Sequence, residues 1–212
     1  MESVGLIMFA NIYKNKKVLV TGHTGFKGTW LTMWLLKLGA NIVGISKDIP
    51  TSPSMFEELK LKDKIEHYQE DIRDLSKMTE IMAHEKPDFL FHLAAQAIVS
   101  TSYTNPMETI TSNVVGTANI LEALRESNHK CTVIIITSDK AYDNVEQVWG
   151  YKEDDKMGGK DIYSGSKGAA ELIIKSYYHS FFKSNKSNIK LAIGRAGNVI
   201  GGGDWANDRI VV

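Results

Sequence analysis

Two residues with the chemistry of a proton-transfer pair, Tyr163 and Lys167, stand four positions apart. On a helix such positions share a face, so the ammonium group would lie beside the phenol. A positive charge at that distance favours the phenolate and lowers the pKa of the tyrosine toward the working range of a general base. The pair is common by chance and could be an ordinary pair on a helix surface. It predicts catalysis only when other reactive groups converge on it.

Ser138, Asp139 and Lys140 are the candidates for that convergence. They follow an apolar, β-branched run over residues 132–136, which predicts a central parallel strand buried on both faces. Ligands of doubly wound sheets bind beyond the carboxyl ends of the strands, so the Ser138 hydroxyl can hydrogen-bond a substrate oxygen there. Asp139 and Lys140 would add an acid and a base. The alternative for these two residues is a surface ion pair just past the strand.

A glycine-rich turn supplies a second anchor for a ligand. Residues 17–20 form an apolar run of strand length, and from Phe26 onward apolar residues recur at helical spacing. Between them stand Gly22, Gly25 and Gly28. A strand, a glycine turn and a helix in this order predict that a dinucleotide binds here. Its diphosphate would lie close to the backbone and face the N–H groups of the first helical turn. The alternative is a purely structural turn. The predicted cofactor contacts of the turn are Gly22, His23, Thr24, Gly25, Phe26, Lys27 and Gly28.

The second predicted strand, residues 41–46, bears on the choice of cofactor. It ends in Ser46 and Lys47, and the nearest acid is Asp48. A doubly wound fold usually places a carboxylate about 20 residues past the glycines, where it binds the adenosine ribose. Asp48 can fill that role for NAD, whereas Ser46 and Lys47 could accommodate the 2′-phosphate of NADP, and a solvated turn is the third interpretation. NAD is the favoured cofactor.

Two further strand ends complete the predicted cofactor site. The third strand, residues 65–69, leads to Asp71 and Ile72, where such folds usually contact the adenine. A helix N-cap at Asp74 explains part of the same stretch. The fourth strand, residues 87–96, ends in small residues that let the cofactor lie close. The predicted contacts at that end are Leu93, Ala94, Ala95 and Gln96.

Long amphipathic helices are predicted over residues 106–127 and 163–184. With a further strand at residues 189–193, six strands alternate with helices. This order predicts an α/β fold with a doubly wound parallel sheet, Rossmann-like in arrangement. The domain that carries the cofactor and the catalytic residues would cover residues 17–200, after an N-terminal extension over residues 1–16.

The composition argues against several classes of function. Lys and Arg together count 25, as do Asp and Glu, so no net charge would attract nucleic acid or an anionic membrane. No apolar stretch reaches the roughly 18–20 residues of a membrane helix, and no signal peptide is expected.

The single cysteine, Cys131, rules out an intramolecular disulfide and predicts a buried thiol and a cytoplasmic location. His92 is predicted to be a satisfied core residue, and no metal site is predicted.

Taken together, the glycine turn, Ser138 and the Tyr163–Lys167 pair resemble the extended short-chain dehydrogenase/reductase family that acts on nucleotide sugars. The resemblance covers essentially the whole chain. Residues 22–28, 137–140 and 194–205 are similar to the CDP-glucose 4,6-dehydratase subfamily. This implies tightly held NAD, CDP-glucose as substrate, and CDP-4-keto-6-deoxyglucose as product, a precursor of dideoxy sugars in surface polysaccharides. Related dTDP- and GDP-sugar dehydratases usually carry an acidic residue at the position of Lys140.

The resemblance also assigns catalytic roles. Tyr163 takes the proton of the C4 hydroxyl during oxidation at C4, Lys167 holds the phenolate and the nicotinamide ribose, and Ser138 positions the C4 oxygen. The resulting ketone makes the C5 proton acidic, so water can leave across C5 and C6. Asp139 would protonate the departing C6 hydroxyl. Lys140 would take the C5 proton if burial and the neighbouring Lys167 depress its pKa.

Substrate contacts are expected toward the C-terminal end. In the resembling family the Asn of the segment that holds Asn198 approaches the substrate diphosphate, and Gln96 and Arg209 are predicted as further contacts. The C-terminal third of that family holds the nucleotide base, so residues 201–212 would begin the substrate-binding segment. Because nine residues follow Gly203, the smaller substrate domain is expected to be mostly absent.

The two long helices carry a further expectation. The resemblance implies a homodimer in which they form a four-helix interface; the alternative is that both simply cover the sheet. Asn113, in the middle of the first helix, is predicted to bind backbone or solvent near the active site.

Two other functions stay open. A nucleotide-sugar 4-epimerase needs Tyr163, Lys167 and Ser138 but not the pair Asp139 and Lys140. A cofactor-binding module without turnover is the second alternative, because the segment that would close over the nucleotide is expected to be missing.

Overall fold

Six strands form one sheet in the computed structural model, which describes residues 8–208. The strand order is β3-β2-β1-β4-β5-β6, and every neighbouring pair is parallel. This is the doubly wound arrangement predicted from the alternation of strands and helices. The strands are β1 Lys17–Thr21, β2 Asn41–Ile45, β3 Glu66–Tyr68, β4 Phe89–His92, β5 Cys131–Ser138 and β6 Ile189–Ala196.

Helices pack on both faces of the sheet and bury two apolar clusters. The larger cluster joins one face of the sheet to α3, α6 and α7, and the smaller joins the other face to α1. Burial of apolar surface on both faces is what holds a parallel sheet together. The helices are α1 Phe26–Lys37, α2 Met55–Glu58, α3 Leu75–Glu85, α4 Val99–Thr104, α5 Pro106–Ile110, α6 Gly116–Ser127 and α7 Ile162–Tyr177.

Burial of β5 differs from the prediction. Cys131, Val133 and Ile135 are buried on one face, whereas Thr132 is exposed and Ile134 is only half-buried on the other. The described residues therefore cover one face of this strand fully and the second face in part. By contrast β1, at the centre of the sheet, is buried along Val18–Thr21 on both faces.

Helix starts follow local chemistry. The Asp74 carboxylate accepts a hydrogen bond from the Lys77 N–H, as the predicted N-cap requires, and Asp161 caps α7 through the Ser164 N–H. Asn105 caps α5, and Pro106 occupies its first position.

The first long helix contains an irregularity. Between α5 and α6 lies a π-helical turn, Thr111–Val115, so the predicted helix over residues 106–127 is continuous but locally widened. Such turns frequently occur at functional sites. After α7 a second π-helical turn, Tyr178–Phe182, ends the helix close to its predicted boundary.

The ends of β1 and β4 are fixed by one threonine and one histidine. The Thr21 hydroxyl accepts hydrogen bonds from the N–H groups of Leu93 and Ala94 and lies 2.7 Å from Nδ1 of His92. Nε2 of His92 lies 3.1 Å from the Thr117 hydroxyl, and burial lowers the pKa of this histidine to about 3. The prediction of a satisfied core histidine is confirmed. Because β4 stops at His92, the small residues after it leave the sheet.

Two other predictions from the sequence concern the burial of the cysteine and the presence of membrane-spanning helices. Cys131 is buried, as predicted, and burial raises the pKa of its thiol to about 12. Within residues 8–208, no helix combines the length and the apolar character needed to cross a bilayer.

Candidate active site

A cavity of about 990 Å³ opens at the carboxyl ends of the strands. Binding at this edge is the general rule for doubly wound sheets. The cavity brings together nearly all of the predicted site residues. Those that line it are Gly22, Thr24, Gly25, Phe26, Lys27, Gly28, Ser46, Asp48, Asp71, Ile72, Leu93, Ala94, Ala95, Gln96, Ser138, Asp139, Lys140, Tyr163, Lys167 and Asn198.

Two predicted residues are not among them. The His23 side chain is fully buried behind the glycine turn, with Nδ1 3.0 Å from the Ser46 hydroxyl and Nε2 2.8 Å from His67 Nδ1. Burial, with a smaller contribution from His67, lowers the pKa of His23 to about 4. Its predicted contact with a cofactor is therefore wrong for the side chain, which supports the turn instead. Arg209 lies outside the described residues.

The glycine turn fits a dinucleotide diphosphate. Gly22 adopts φ +75°, and a Cβ there would lie 2.8 Å from the Ala94 nitrogen. The turn can therefore approach the end of β4 this closely only with glycine at position 22. A Cβ at Gly28 would overlap the Gly22 carbonyl oxygen. Gly25 has open space by comparison, and as the N-cap of α1 it offers no side chain to the first-turn N–H groups. The first-turn residues Phe26, Lys27 and Gly28 line the cavity, so their free N–H groups are available for anion binding there.

Two side chains tie the turn to the end of β2. The Thr24 hydroxyl donates to the Asp48 carbonyl oxygen at 2.7 Å, and the Ser46 hydroxyl lies between His23 and the Thr24 N–H. Ser46 is thus engaged in holding the turn. Asp48 is exposed at the cavity edge, where its carboxylate can face a ribose.

Tyr163 and Lys167 lie in the first turns of α7 and both line the cavity. Both are buried, and Lys167 Nζ lies 5.7 Å from the centre of the Tyr163 ring. Burial lowers the pKa of Lys167 to about 8, and the charge of Lys27 contributes in the same direction. The helical spacing thus places the cation beside the phenol, and the low dielectric of the site strengthens their interaction.

Ser138 and Asp139 form a hydrogen-bonded pair at the end of β5. The Ser138 hydroxyl donates to Asp139 Oδ1 at 2.9 Å and accepts from the Lys140 N–H at 3.2 Å. A short 3-10 turn, Asp139–Ala141, then carries both charged side chains to the rim of the cavity. Lys140 is exposed, so burial, one of the two conditions for its predicted role as a base, is not met. The buried lysine of the site is Lys167.

Burial of Lys167 predicts a specific pH dependence of stability. Its pKa falls from an ordinary value of 10.5 to about 8 on folding, so between these values the unfolded chain binds a proton that the folded chain has lost. The cost of burying the charge is therefore full below pH 8 and is relieved as the pH rises to 10.5. The free energy of unfolding of the wild type should rise relative to Lys167→Met across this window. Urea titrations of the cofactor-free protein at several pH values measure the difference.

Lys190→Met, at an exposed position on β6, provides the control for that measurement. Its difference from the wild type should stay constant between pH 8 and 10.5. A constant difference for Lys167→Met as well would contradict the buried charge.

Gln96 and Asn113 form a polar network that sequence analysis identified only in part. Asn113 is buried in the π-helical turn, where Oδ1 accepts from the Gln96 N–H and Nδ2 donates to the Gln96 carbonyl and to the Ser166 hydroxyl. The Gln96 amide in turn donates to Thr109 and to the Ile98 carbonyl oxygen. The side chain of Gln96 thus already has protein partners, and the network ties the end of β4 to α7.

A buried ion pair beneath the site was missed. Glu171 is fully buried on α7, and Arg195 on β6 approaches it with two nitrogens, at 2.7 and 2.8 Å. The Thr137 hydroxyl donates to the same carboxylate at 2.7 Å, and the Arg195 guanidinium stacks 4.5 Å from the centre of the Tyr142 ring. The spacing of Glu171 four residues after Lys167 was the available signal, since it places both on one helix face.

Comparisons with known proteins agree with this geometry. A family model described as GDP-mannose 4,6 dehydratase matches residues 19–192. The chain is 49% identical over 204 residues to the CDP-glucose 4,6-dehydratase of Salmonella typhimurium, covering 95% of this chain and 57% of that protein. The chain thus spans little more than half the length of this relative.

Solved structures with the same fold include nucleotide-sugar epimerases. The epimerase Mth375 of Methanothermobacter thermautotrophicus has a TM-score of 0.77 and 27% identity, covering 92% of this chain and 55% of that one. The UDP-glucuronic acid 4-epimerase of Bacillus cereus, in complex with UDP-glucuronic acid and NAD, has a TM-score of 0.70 and 28% identity, covering 84% and 55%. The chain belongs to the GDP-mannose 4,6 dehydratase family, within the short-chain dehydrogenase/reductase enzymes of nucleotide sugars that its motifs resemble.

Proposed function

We propose that this chain carries the cofactor site and catalytic residues of an NAD-dependent sugar-nucleotide 4,6-dehydratase that converts CDP-glucose to CDP-4-keto-6-deoxyglucose. The observation that carries the proposal is the convergence of Tyr163, Lys167, Ser138 and Asp139 on one cavity beyond a glycine turn. The 49% identity to a CDP-glucose 4,6-dehydratase supports the choice of substrate.

NAD is the proposed cofactor. When bound, it would supply the acceptor for the hydride from C4 of the sugar and the donor for its return at C6, so that the net reaction is a dehydration. The glycine turn would hold its diphosphate, Asp71 and Ile72 its adenine, and Asp48 its adenosine ribose. The small residues after β4 leave room beside it. The complex of the related 4-epimerase of Bacillus cereus with NAD supports this choice.

Proton transfer at C4 is assigned to α7. Tyr163 would accept the proton of the C4 hydroxyl, and the buried ammonium of Lys167 would stabilise the phenolate that makes this possible. Ser138 would orient the C4 oxygen. This use of Ser138 requires its hydroxyl to leave the hydrogen bond that it donates to Asp139.

Elimination of water is assigned to the rim of the cavity. Asp139 in its protonated form would donate to the departing C6 hydroxyl. The amine of Lys140, exposed at the same rim, would take the C5 proton, so the elimination has an acceptor for that proton as well as an acid for the departing hydroxyl.

The nucleotide end of the substrate is proposed to bind at the segment after β6. Asn198 lines the cavity, and the Trp30 indole donates to the Gly202 carbonyl oxygen at 3.0 Å, which holds the glycine-rich segment against α1. Residues 201–212, including Arg209, are proposed to begin the binding site for the nucleotide.

A homodimer is proposed through the two long helices. Large apolar side chains on and beside them are exposed, as expected of a face that a second copy covers. They are Tyr103, Met107, Val115, Leu172 and Phe181. Light scattering that shows a monomer at micromolar concentration would rule out this dimer.

A product assay tests the proposed function. Purified protein incubated with CDP-glucose and NAD should yield a 4-keto-6-deoxy sugar, detected by its absorbance in alkali and by a loss of 18 mass units, the mass of one water. A 4-epimer would instead favour the epimerase, the function of the Bacillus cereus relative. Bound cofactor without turnover would favour a cofactor-binding module.

A further inference from the structure

Two cations at the β2–β3 end of the cavity share one carboxylate. Lys47 follows β2, Arg73 follows β3, and Glu108 lies on α5. Lys47 Nζ lies 2.6 Å from Glu108 Oε1, and Arg73 Nη1 lies 2.6 Å from Oε2 of the same group. Each oxygen of Glu108 therefore engages a different cation. Arg73 also binds the Asp71 carboxylate through Nε, with both contacts at 3.0 Å.

This cluster lies where the adenosine ribose is expected. In doubly wound folds the residues after β2 contact the ribose hydroxyls. Lys47, Asp48, Asp71 and Glu108 all line the cavity. NAD carries a 2′-hydroxyl at this ribose and NADP carries a phosphate. Lys47 lines the cavity and is therefore the cation placed to meet that phosphate, and Arg73 is its neighbour on the Glu108 carboxylate.

We propose that Glu108 is a specificity-determining residue that excludes NADP by occupying both cations. The proposal rests on the proposed binding of NAD in this cavity. Lys47 and Arg73 supply two positive charges, whereas the carboxylates that line this edge number four, so the edge carries net negative charge. They belong to Asp48, Glu70, Asp71 and Glu108. A 2′-phosphate brings about −1.5 to −2 further charge at pH 7. It would be repelled unless it displaced Glu108 from Lys47 and Arg73.

The state of Glu108 fits this role. Its hydrogen bonds with Lys47 and then Arg73 lower its pKa, so the carboxylate is ionised at neutral pH. A hydroxyl-bearing ribose needs no cation, so the same arrangement leaves NAD unaffected. Discrimination of this kind, through a repulsive charge toward the wrong ligand, is a common source of specificity.

The alternative is a purely structural role, in which Glu108 only holds α5 against the loops after β2 and β3. A purely structural ion-pair network would change stability when disrupted but would leave the ratio of the two cofactor affinities unchanged. Relative affinity for NAD⁺ and NADP⁺ therefore separates the two roles.

Glu108→Gln tests the proposal by removing the charge and keeping the shape. Isothermal titration of wild type and variant with NAD⁺ and with NADP⁺ gives both dissociation constants. We expect NADP⁺ binding to tighten at least about tenfold and NAD⁺ binding to change by less than about threefold. Adding Lys47→Met to the variant should reverse the gain for NADP⁺, because the freed cation is lost.

Glu122→Gln is the matched control. Glu122 pairs with Arg125 on α6 through similarly short contacts, 2.6 and 2.8 Å, but does not line the cavity. This variant should leave both dissociation constants unchanged. An unchanged affinity ratio in a folded Glu108→Gln variant that binds NAD⁺ would overturn the proposal for Glu108 and leave the proposed function standing. A wild type that binds neither dinucleotide would overturn both.

A second measurement needs no variant. Salt screens the repulsion of a 2′-phosphate by the net negative edge, so the affinity of the wild type for NADP⁺ relative to NAD⁺ should rise between about 0.01 and 0.15 M ionic strength. A fall in that ratio would show that Lys47 and Arg73 attract the phosphate despite Glu108, and would overturn the proposal.

Discussion

Tyr163→Phe is expected to lower kcat for CDP-glucose conversion by about 10²- to 10⁴-fold, the usual contribution of a positioned general base. Phenylalanine keeps the buried ring and its packing, so the change removes only the hydroxyl that would accept the C4 proton. Binding of NAD should change little, because the glycine turn and the ends of β2 and β4 stay intact. Steady-state turnover and cofactor titration on the same preparation measure the two effects separately.

The control for this substitution lies on the same helix. Tyr177 is near the far end of α7, where its hydroxyl donates to Glu122 at 3.2 Å, outside the cavity. Tyr177→Phe should therefore retain turnover. A Tyr163→Phe variant with more than about a tenth of wild-type kcat would remove this residue from proton transfer.

Glu171→Leu is expected to lower the free energy of unfolding by about 3–5 kcal/mol, the range for breaking a buried ion pair from one side. Glu171 is fully buried and Arg195 is 12% exposed, so the substitution leaves a guanidinium without its carboxylate in a site that water hardly reaches. Urea unfolding of the wild type and the variant gives the difference.

A double variant separates the cost of an unpaired charge from the cost of lost packing. Glu171→Leu with Arg195→Met removes both charges, and such replacements are often close to neutral, so much of the lost stability should return. Glu80→Gln, which breaks an exposed pair with Lys77, should leave the free energy of unfolding nearly unchanged, because water and salt screen such a pair. A double variant as unstable as Glu171→Leu would show that the cost arises from packing and not from the unpaired charge.

The ion pair also matters for the active site. Glu171 lies on the helix that carries Tyr163 and Lys167, and it holds Thr137, which directly precedes Ser138. Arg195 on β6 extends the same network to the ring of Tyr142, next to the turn that carries Asp139. The two halves of the proposed reaction, oxidation and elimination, thus depend on elements that one buried network holds together.

Local patterns were enough to predict the fold and the groups that line the cavity. The glycine spacing, the apolar strands and the four-residue spacing of Tyr163 and Lys167 each translate into geometry within a short segment. Because parallel strands end at one edge of the sheet, residues after separate strands could be expected to meet there. Ser138, Asp71 and Ala94 lie at the cavity for this reason.

Properties set by packing between distant segments could not be predicted in the same way. The predicted role of Lys140 as a base depended in part on burial, but the 3-10 turn leads it to the rim, and Lys167 is the buried lysine of the site. His23 lies in the glycine motif, yet a Cβ at Gly44 would collide with its ring, so its position depends on a close approach to β2. The ion pairs of Glu108 could not be predicted either, because they form only when α5 brings it close to Lys47 and Arg73.

A deuterium label at C4 of CDP-glucose tests the proposed dehydratase most directly. Nuclear magnetic resonance of the product formed by the purified protein with NAD locates the label. Internal transfer, with proton removal by Tyr163 and loss of the C6 hydroxyl to Asp139, predicts recovery of the label at the C6 methyl group of a 4-keto-6-deoxy sugar. Recovery of the label only at C4, in a sugar that keeps its C6 hydroxyl, would contradict the proposed dehydratase.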